Sequence, residues 1–413
     1  MENINLKTYY MVIKILGDFV NNKIIDKDFF NENIIDVANE ENSQKIYIGR
    51  IYYIAKKHNL VSIMAQAMEK LGFESDSDIW KRWLKEKNQL IYKSVLMDVE
   101  REAIQDFFEK NNIWYMLLKG MVIRKYYPSP ELREMADNDI LFDNKYSKEV
   151  YDFMTARGYK SDDYNKGYHD EYLKPPAYNF EMHRQLVSSK ERPKWYEYYK
   201  DVKSILIKDT NENRETAANS ESNNTSNQFY FSDNDFYVYF IVHTYKHFLN
   251  SGMGLRTALD VYLYVSNLQE KLDFDYIEEQ LKKLDAYDFE QTFRSIAFKM
   301  FDENLEDRKW WDLFDVKEQE MLSYVLDAGT YGNLENSVAH KMGYTKGEKK
   351  KTSDKAKYIF RRLFPSMDTI EEFFPFFYKH KWAIPFLYIY RIGKIPFTRR
   401  KKVAGELKEV FKK

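Results

Sequence analysis

The hydrophobic period of this chain changes between about residues 111 and 190, and that change limits the folds open to it. Ahead of it, from Lys7 to about Phe108, apolar residues recur at three- and four-residue spacing in YYMVIKILGDFV, IYYIAKKHNLVSIMAQAMEKLGF and WKRWLKEKNQLIYKSVLMDVEREAIQDFF, the spacing of amphipathic helices. Inside it, three short apolar runs read as strands: IWYMLL (113–118), NDILFD (138–143) and AYNFEMHRQLV (177–187). Lys119-Gly120 stops the first, PSPELREMA brings turn residues with two prolines, and YSKEVYDFMTARGY reads as a helix ending at Gly158. With a polar loop before the third run, the module is strand–helix–strand–helix–strand. Helical spacing returns in DFYVYFIVHTYKHFLN, opened by a Ser232/Asp235 capping box, and continues through LRTALDVYLYVSNL to about Asp327.

The expected fold class is therefore α+β: a helical N-terminal part (1–109), a small mixed β-sheet core (110–207) and a helical C-terminal half (231–413). At 413 residues, with 34 Tyr and 29 Phe, the chain has enough large side chains for two or three such units. The segment KDTNENRETAANSESNNTSNQ, within 208–230, is almost free of large apolar residues. It is expected to be a mobile loop and the first site of proteolysis.

Several function classes are disfavoured. Lys+Arg (64) and Asp+Glu (65) nearly balance, so net charge does not indicate nucleic acid. The absence of cysteine removes disulfides, thiolate metal sites and thiol nucleophiles. MENINLKTYYMVIKIL lacks the pattern of a signal peptide, and no uninterrupted apolar stretch suits a transmembrane segment. A soluble, cytoplasmic protein is expected. The basic runs KGEKKKTSDKAK (346–357) and TRRKK (398–402) read either as solvated surface or as a contact for a polyanion or membrane surface.

Chemistry concentrates in the β-rich module. In REMADNDILFD, Asp137 and Asp139 are two residues apart at the mouth of a strand, where side chains i and i+2 share a face. Two carboxylates held so close call for a counter-charge such as a divalent cation, unless they are merely solvated edge acids. In YNFEMHR, Asn179, Glu181 and His183 alternate with Tyr178, Phe180 and Met182, as in a sheet with one face on a core and the other in a cleft. Three carboxylates beside a glycine at a helix start make a kit for binding Mg2+ together with phosphate. If the aspartates share an ion, neutralising either should leave the metal-free protein unchanged or slightly more stable.

LLKGMVIRKYYPSPELREMADNDILFD resembles the signature of the uncharacterised nucleotidyltransferase family of the DNA polymerase β-like superfamily. FEMHRQL resembles that family's E-x-H strand, and HTYKHFLNSGMGLRTALDVYLY its His-rich helix with a following Arg and Asp. RRLFPSMDTIEEFFPFFYKHKWAIPFLYIYRI is similar to its C-terminal tail. The resemblance implies a nucleotidyltransferase core and metal-dependent transfer of a nucleoside monophosphate from an NTP to an acceptor hydroxyl, with release of pyrophosphate. It also implies Mg2+ (or Mn2+) held by Asp137, Asp139 and Glu181, which would be the catalytic residues. Lys119, Gly120, Arg133, His183, His247, Arg256 and Asp260 would bind nucleotide. Five of these have a plainer reading: Gly120 as a turn glycine, Lys119 or Arg133 in a salt bridge, and Arg256 with Asp260 as a helix brace. The acceptor (small molecule, sugar, protein or RNA end) is not specified. Two departures, Met121 after Gly120 where the superfamily has Gly-Ser or Gly-Gly and Asn138 between the acids, keep open a catalytically impaired nucleotide-binding or protein-interaction descendant. His243 and His247 have the spacing of a zinc pair, but Thr244 replaces the glutamate of the zinc motif and no cysteine could complete the site.

Overall fold

A computed structural model describes residues 5–23, 27–36, 45–162, 164–176, 178–189, 192–210, 226–250, 252–301, 310–330, 332, 338, 342, 352–394, 404–406 and 410–411. The low-complexity centre of the expected loop (211–225) and the basic residues 346–351 and 398–402 lie outside them.

The N-terminal pattern becomes helices α1 (Leu6–Val20), α2 (Ile48–Lys57), α3 (Val61–Lys70) and α4 (Asp78–Lys110). Ser77 caps α4 by accepting from the Trp80 N–H, and Asn112, at φ 53°, turns the chain out at its end. α4 is 33 residues long and serves two cores. Trp80 and Trp83 join a large core shared with α1, α2 and α3, whereas Ile104 and Phe108 join a smaller one under the sheet.

The sheet has six strands: β1 (Tyr115–Leu117), β2 (Asn138–Phe142), β3 (His169–Lys174), β4 (Tyr178–His183), β5 (Ile207–Lys208) and β6 (Gln228–Tyr230). Their order is β3-β4-β2-β1-β6-β5. β2 with β4 and β1 with β6 are parallel, and the other neighbours are antiparallel. One face carries Ile140, Phe142, Phe180, Met182 and Tyr172, packed on α4 and on α6 (Ser147–Ala156) through Val150 and Met154. Gly158, at φ 87°, ends α6 as expected. Between β1 and β2 lie a four-residue helix, α5 (Gly120–Ile123), and two short 3-10 turns.

The structure adds to the expectation at two places. β3 arises where a polar loop is expected, since HDEYLK carries only Tyr172 as an inward apolar residue and buries Asp170 beside it, paired with Arg184. β6 arises within 208–230, a three-residue strand too short to announce itself by period.

The C-terminal half is helical: α7 (Asp233–Asn250), α8 (Leu255–Leu268), α9 (Phe274–Lys283), α10 (Tyr287–Phe301) and α11 (Val316–Ala328). Ser232 Oγ accepts from the Asp235 N–H and donates to its carboxylate at the start of α7. The middle of α7 and most of α8 are buried in the large core. Helices at both ends around a mixed sheet make the fold α+β, and no described helix is long and apolar enough to cross a membrane.

Candidate active site

The site is built on one line of register. β2 and β4 run parallel and pair Asp139 with Glu181, so the two carboxylates leave the same face of the sheet. His183, two residues along β4, shares that face, and antiparallel pairing sets His169 of β3 opposite His183. The two imidazoles stack with centroids 5.0 Å apart.

Asp139 Oδ1 accepts from Lys119 Nζ at 2.6 Å and contacts His183 Nε2 at 2.8 Å. The same His183 nitrogen is 3.4 Å from Glu181 Oε2. One donor atom from each of Asp139, Glu181 and His183 lies within 4.8 Å of the other two, a spacing that a single cation can bridge. The donors are two carboxylates and an imidazole. Carboxylates suit Mg2+ or Mn2+, and the imidazole widens the choice toward transition metals. Asp137, one residue ahead of β2, stands outside this triplet but close enough for the Asp139 and Glu181 charges to act on it.

Charge is sharply divided here. Burial and the neighbouring Asp139 and Glu181 carboxylates raise the Asp137 carboxyl to about 6. Burial would also raise Asp139, but Lys119 and His183 outweigh it and hold that carboxyl well below its usual range. Burial acts against a charged His183, yet its bonds to Asp139 and Glu181 lift its pKa. Burial and the His183 charge lower His169 to about 4.

Lys119 reaches Asp139 from a backbone conformation unusual for a side chain with a Cβ, at φ 48° and ψ −111°. Such strain, on the order of 1–3 kcal/mol, tends to be kept where a site needs it. Burial opposes the Lys119 ammonium, but Asp139, with Glu181 and Asp137 behind it, holds its pKa above the ordinary lysine range.

The remaining expected residues divide into two groups. Arg133 Nε and Nη2 donate to Asp260 at 2.8 and 2.7 Å, and Tyr127 Oη donates to the same carboxylate at 2.7 Å, all three side chains buried. Asp260 is thus paired with Arg133, whereas Arg256, its expected helix partner, donates to the Glu134 carbonyl at 2.7 Å. A Cβ on Gly120 would lie 2.3 Å from Arg133 Nη1, so the glycine admits the guanidinium. His247 lies near the end of α7 with its side chain open to solvent. Its Nε2 is 2.8 Å from His243 Nε2, and partial desolvation followed by the Lys119 charge lowers its pKa.

Four residues outside the expected set, Tyr239, Lys246, Tyr168 and His169, complete the wall. The Tyr239 hydroxyl is buried without a hydrogen-bond partner, within the electrostatic reach of Lys119, Asp139 and Glu181. Lys246 Nζ donates to Tyr168 Oη at 2.6 Å, and the Tyr168 ring lies edge-on to His169, centroids 4.5 Å apart. His169 lies in what reads as a polar loop, and Tyr239 in the apolar stretch FYVYFIV of α7, so neither carried a local signal. On the opposite face, Asn138 is fully buried with neither amide atom bonded, beside a small cavity lined by Met97, Asp98, Arg124 and Glu134.

The model of a family described as uncharacterised nucleotidyltransferase matches residues 44–302, more than half of the chain and all the residues above. No curated protein and no solved structure matches.

Proposed function

The chain belongs to the uncharacterised nucleotidyltransferase family, and from that premise we propose that it moves a nucleoside monophosphate from an NTP to an acceptor hydroxyl. The acceptor oxygen bonds to the α-phosphorus, the bond to the β-phosphate bridge breaks, and pyrophosphate leaves. The supporting observation is the abreast pairing of Asp139 and Glu181 with His183 on one sheet face, the three within 4.8 Å. In this reading Asp139, Glu181 and His183 hold the Mg2+ or Mn2+, with Asp137 at the rim. When bound, the ion supplies charge stabilisation to the phosphate oxygens.

Glu181 accepts the hydroxyl proton, being less enclosed than Asp139, whose carboxylate Lys119 already engages. Lys119 neutralises Asp139 in the metal-free site and offers its ammonium to phosphate as a point charge. His247 and Arg256 line the nucleotide side. Arg133 and Asp260 support the site from beneath by fixing the turn at Gly120. The acceptor is a small molecule, a sugar, a protein or an RNA end.

The test is to incubate the protein with each of the four NTPs and Mg2+ or Mn2+, measure pyrophosphate, and weigh the protein and added acceptor pools by mass spectrometry. Pyrophosphate release that Asp139→Asn abolishes is expected. Release no greater than that of the variant, with every NTP, overturns the reading.

A second reading, nucleotide binding without transfer, draws on the bonds that already satisfy Asp139 and on the unbonded Asn138 amide. NTP-induced thermal stabilisation without pyrophosphate would establish it.

A further inference from the structure

Beyond the sheet and its helices, residues 352–394 form four short helices: Thr352–Leu363, Met367–Phe373, Pro375–Lys379 and Ile384–Lys394. The last one, sequence IPFLYIYRIGK, is apolar on more than one side. It buries Leu387, with Ala383 just ahead of it, and sets Tyr388 edge-on to Phe364 at 5.0 Å. Phe386 (61% exposed), Ile389 (68%) and Tyr390 then form a ridge at i, i+3 and i+4 spacing on the outside, extended by Trp382 (73%), whose ring centroid is 6.5 Å from that of Phe386. A surface helix ordinarily turns polar residues outward, and a contiguous apolar ridge marks a contact surface.

Charge identifies what the ridge meets. From 373 to 405 the sequence has eight Lys or Arg and no Asp or Glu, whereas over the whole chain the two signs nearly cancel. Lys379 and Lys381 of that run are exposed beside Trp382. We propose that this ridge lies in the interface of an anionic lipid surface, with Trp382, Phe386 and Ile389 among the acyl-chain ends and Lys379 and Lys381 on the headgroups. Aromatic residues at the level of the headgroups, flanked by Lys and Arg, are the pattern of helices that lie on membranes rather than cross them. A nucleic acid would use the aromatic rings for stacking and leave Ile389 and Ile392 without a role. A two-fold contact between copies would set one unrelieved basic run against another.

The inference is independent of the chemistry proposed for the sheet, and its test uses the full chain. The protein is sedimented with vesicles of phosphatidylcholine alone and with vesicles containing phosphatidylglycerol, at low and high salt. Binding to the anionic vesicles only, weakened roughly tenfold by added salt, is expected. Phe386→Asp combined with Ile389→Asp changes exposed positions, so it should abolish vesicle binding while leaving the melting temperature as it was. Lys379→Gln with Lys381→Gln should weaken binding without abolishing it. The proposal fails if wild type stays in the supernatant with anionic vesicles, or if the double aspartate variant binds them like wild type. It fails equally if the ridge variant loses self-association, or binding to single-stranded RNA, while wild type ignores the vesicles.

Discussion

Arg133 and Asp260, 127 residues apart in the chain, meet through two parallel hydrogen bonds in the interior. The pair joins the turn before β2 to helix α8, and Tyr127 closes it by donating to the same carboxylate. Removing one member leaves the other's charge buried and alone. Asp260→Ala should therefore cost about 3–5 kcal/mol in urea unfolding. A loss under about 1 kcal/mol would mean that the pair does not brace the fold.

Gly120 owes its identity to that pair. Its missing Cβ is the space of Arg133 Nη1, and the guanidinium cannot swing aside while Asp260 holds it. Gly120→Ala should cost about 1–3 kcal/mol. The cost should shrink in an Arg133→Met background, giving a non-zero coupling in the double-mutant cycle. Additive effects would show that Gly120 is needed for some other reason.

The two aspartates should respond in opposite directions, so that the unchanged or slightly raised metal-free stability expected of both should hold for Asp137 only. Asp139 binds Lys119 and His183, so Asp139→Asn should lose about 2–4 kcal/mol in metal-free buffer. Asp137, whose carboxyl is raised by burial and by its acidic neighbours, carries an unfavourable charge at pH 7. Asp137→Asn should gain on the order of 1–2 kcal/mol there. Both should impair NTP-dependent transfer, Asp139→Asn by several orders of magnitude. Melting curves with chelator, followed by pyrophosphate assays, separate stability from chemistry.

Glu134 gives a pH signature. Burial lifts its carboxyl from the ordinary 4.5 to about 7, against the bond it accepts from the Ser62 N–H at the start of α3. A raised acid holds its proton more tightly in the folded state. Its contribution to stability is thus complete below about pH 4.5 and disappears as pH rises through about 7. Glu134→Gln keeps an acceptor for Ser62 and removes the titration. The variant should be the more stable protein at pH 8, by on the order of 1–3 kcal/mol, and should converge with wild type near pH 5. Parallel stability–pH curves would place the Glu134 pKa in its ordinary range.

Much of this was legible because periodicity is local. α1, α4, α7 and α8 follow from three- and four-residue spacing, and Asp139, Glu181 and His183 share a face because strands alternate. Where a residue's environment is set from afar, the local pattern is silent. Asp170 faces inward because Arg184 meets it there, which hides β3 among polar residues. Arg133 and Asp260 find each other across 127 residues, so their pairing has no short-range mark. Asp137 lies one residue ahead of β2, yet it stays within electrostatic reach of Asp139 and Glu181. His183 stood out as a polar residue on the cleft face, but its place beside both carboxylates depends on the β2–β4 register.

Helix α4 also governs how the molecule comes apart. At about 1.5 Å per residue, its 33 residues form a rod of about 50 Å whose first turns lie in the large core and whose last turns support the sheet. Neither core can lose its share of the rod without fraying the other's. From Trp80 to the β2–β4 register, melting should then be a single cooperative event, seen in calorimetry as one peak over that region. A cut at residue 110 would not liberate a self-sufficient sheet, because Ile104 and Phe108 would remain on the wrong fragment.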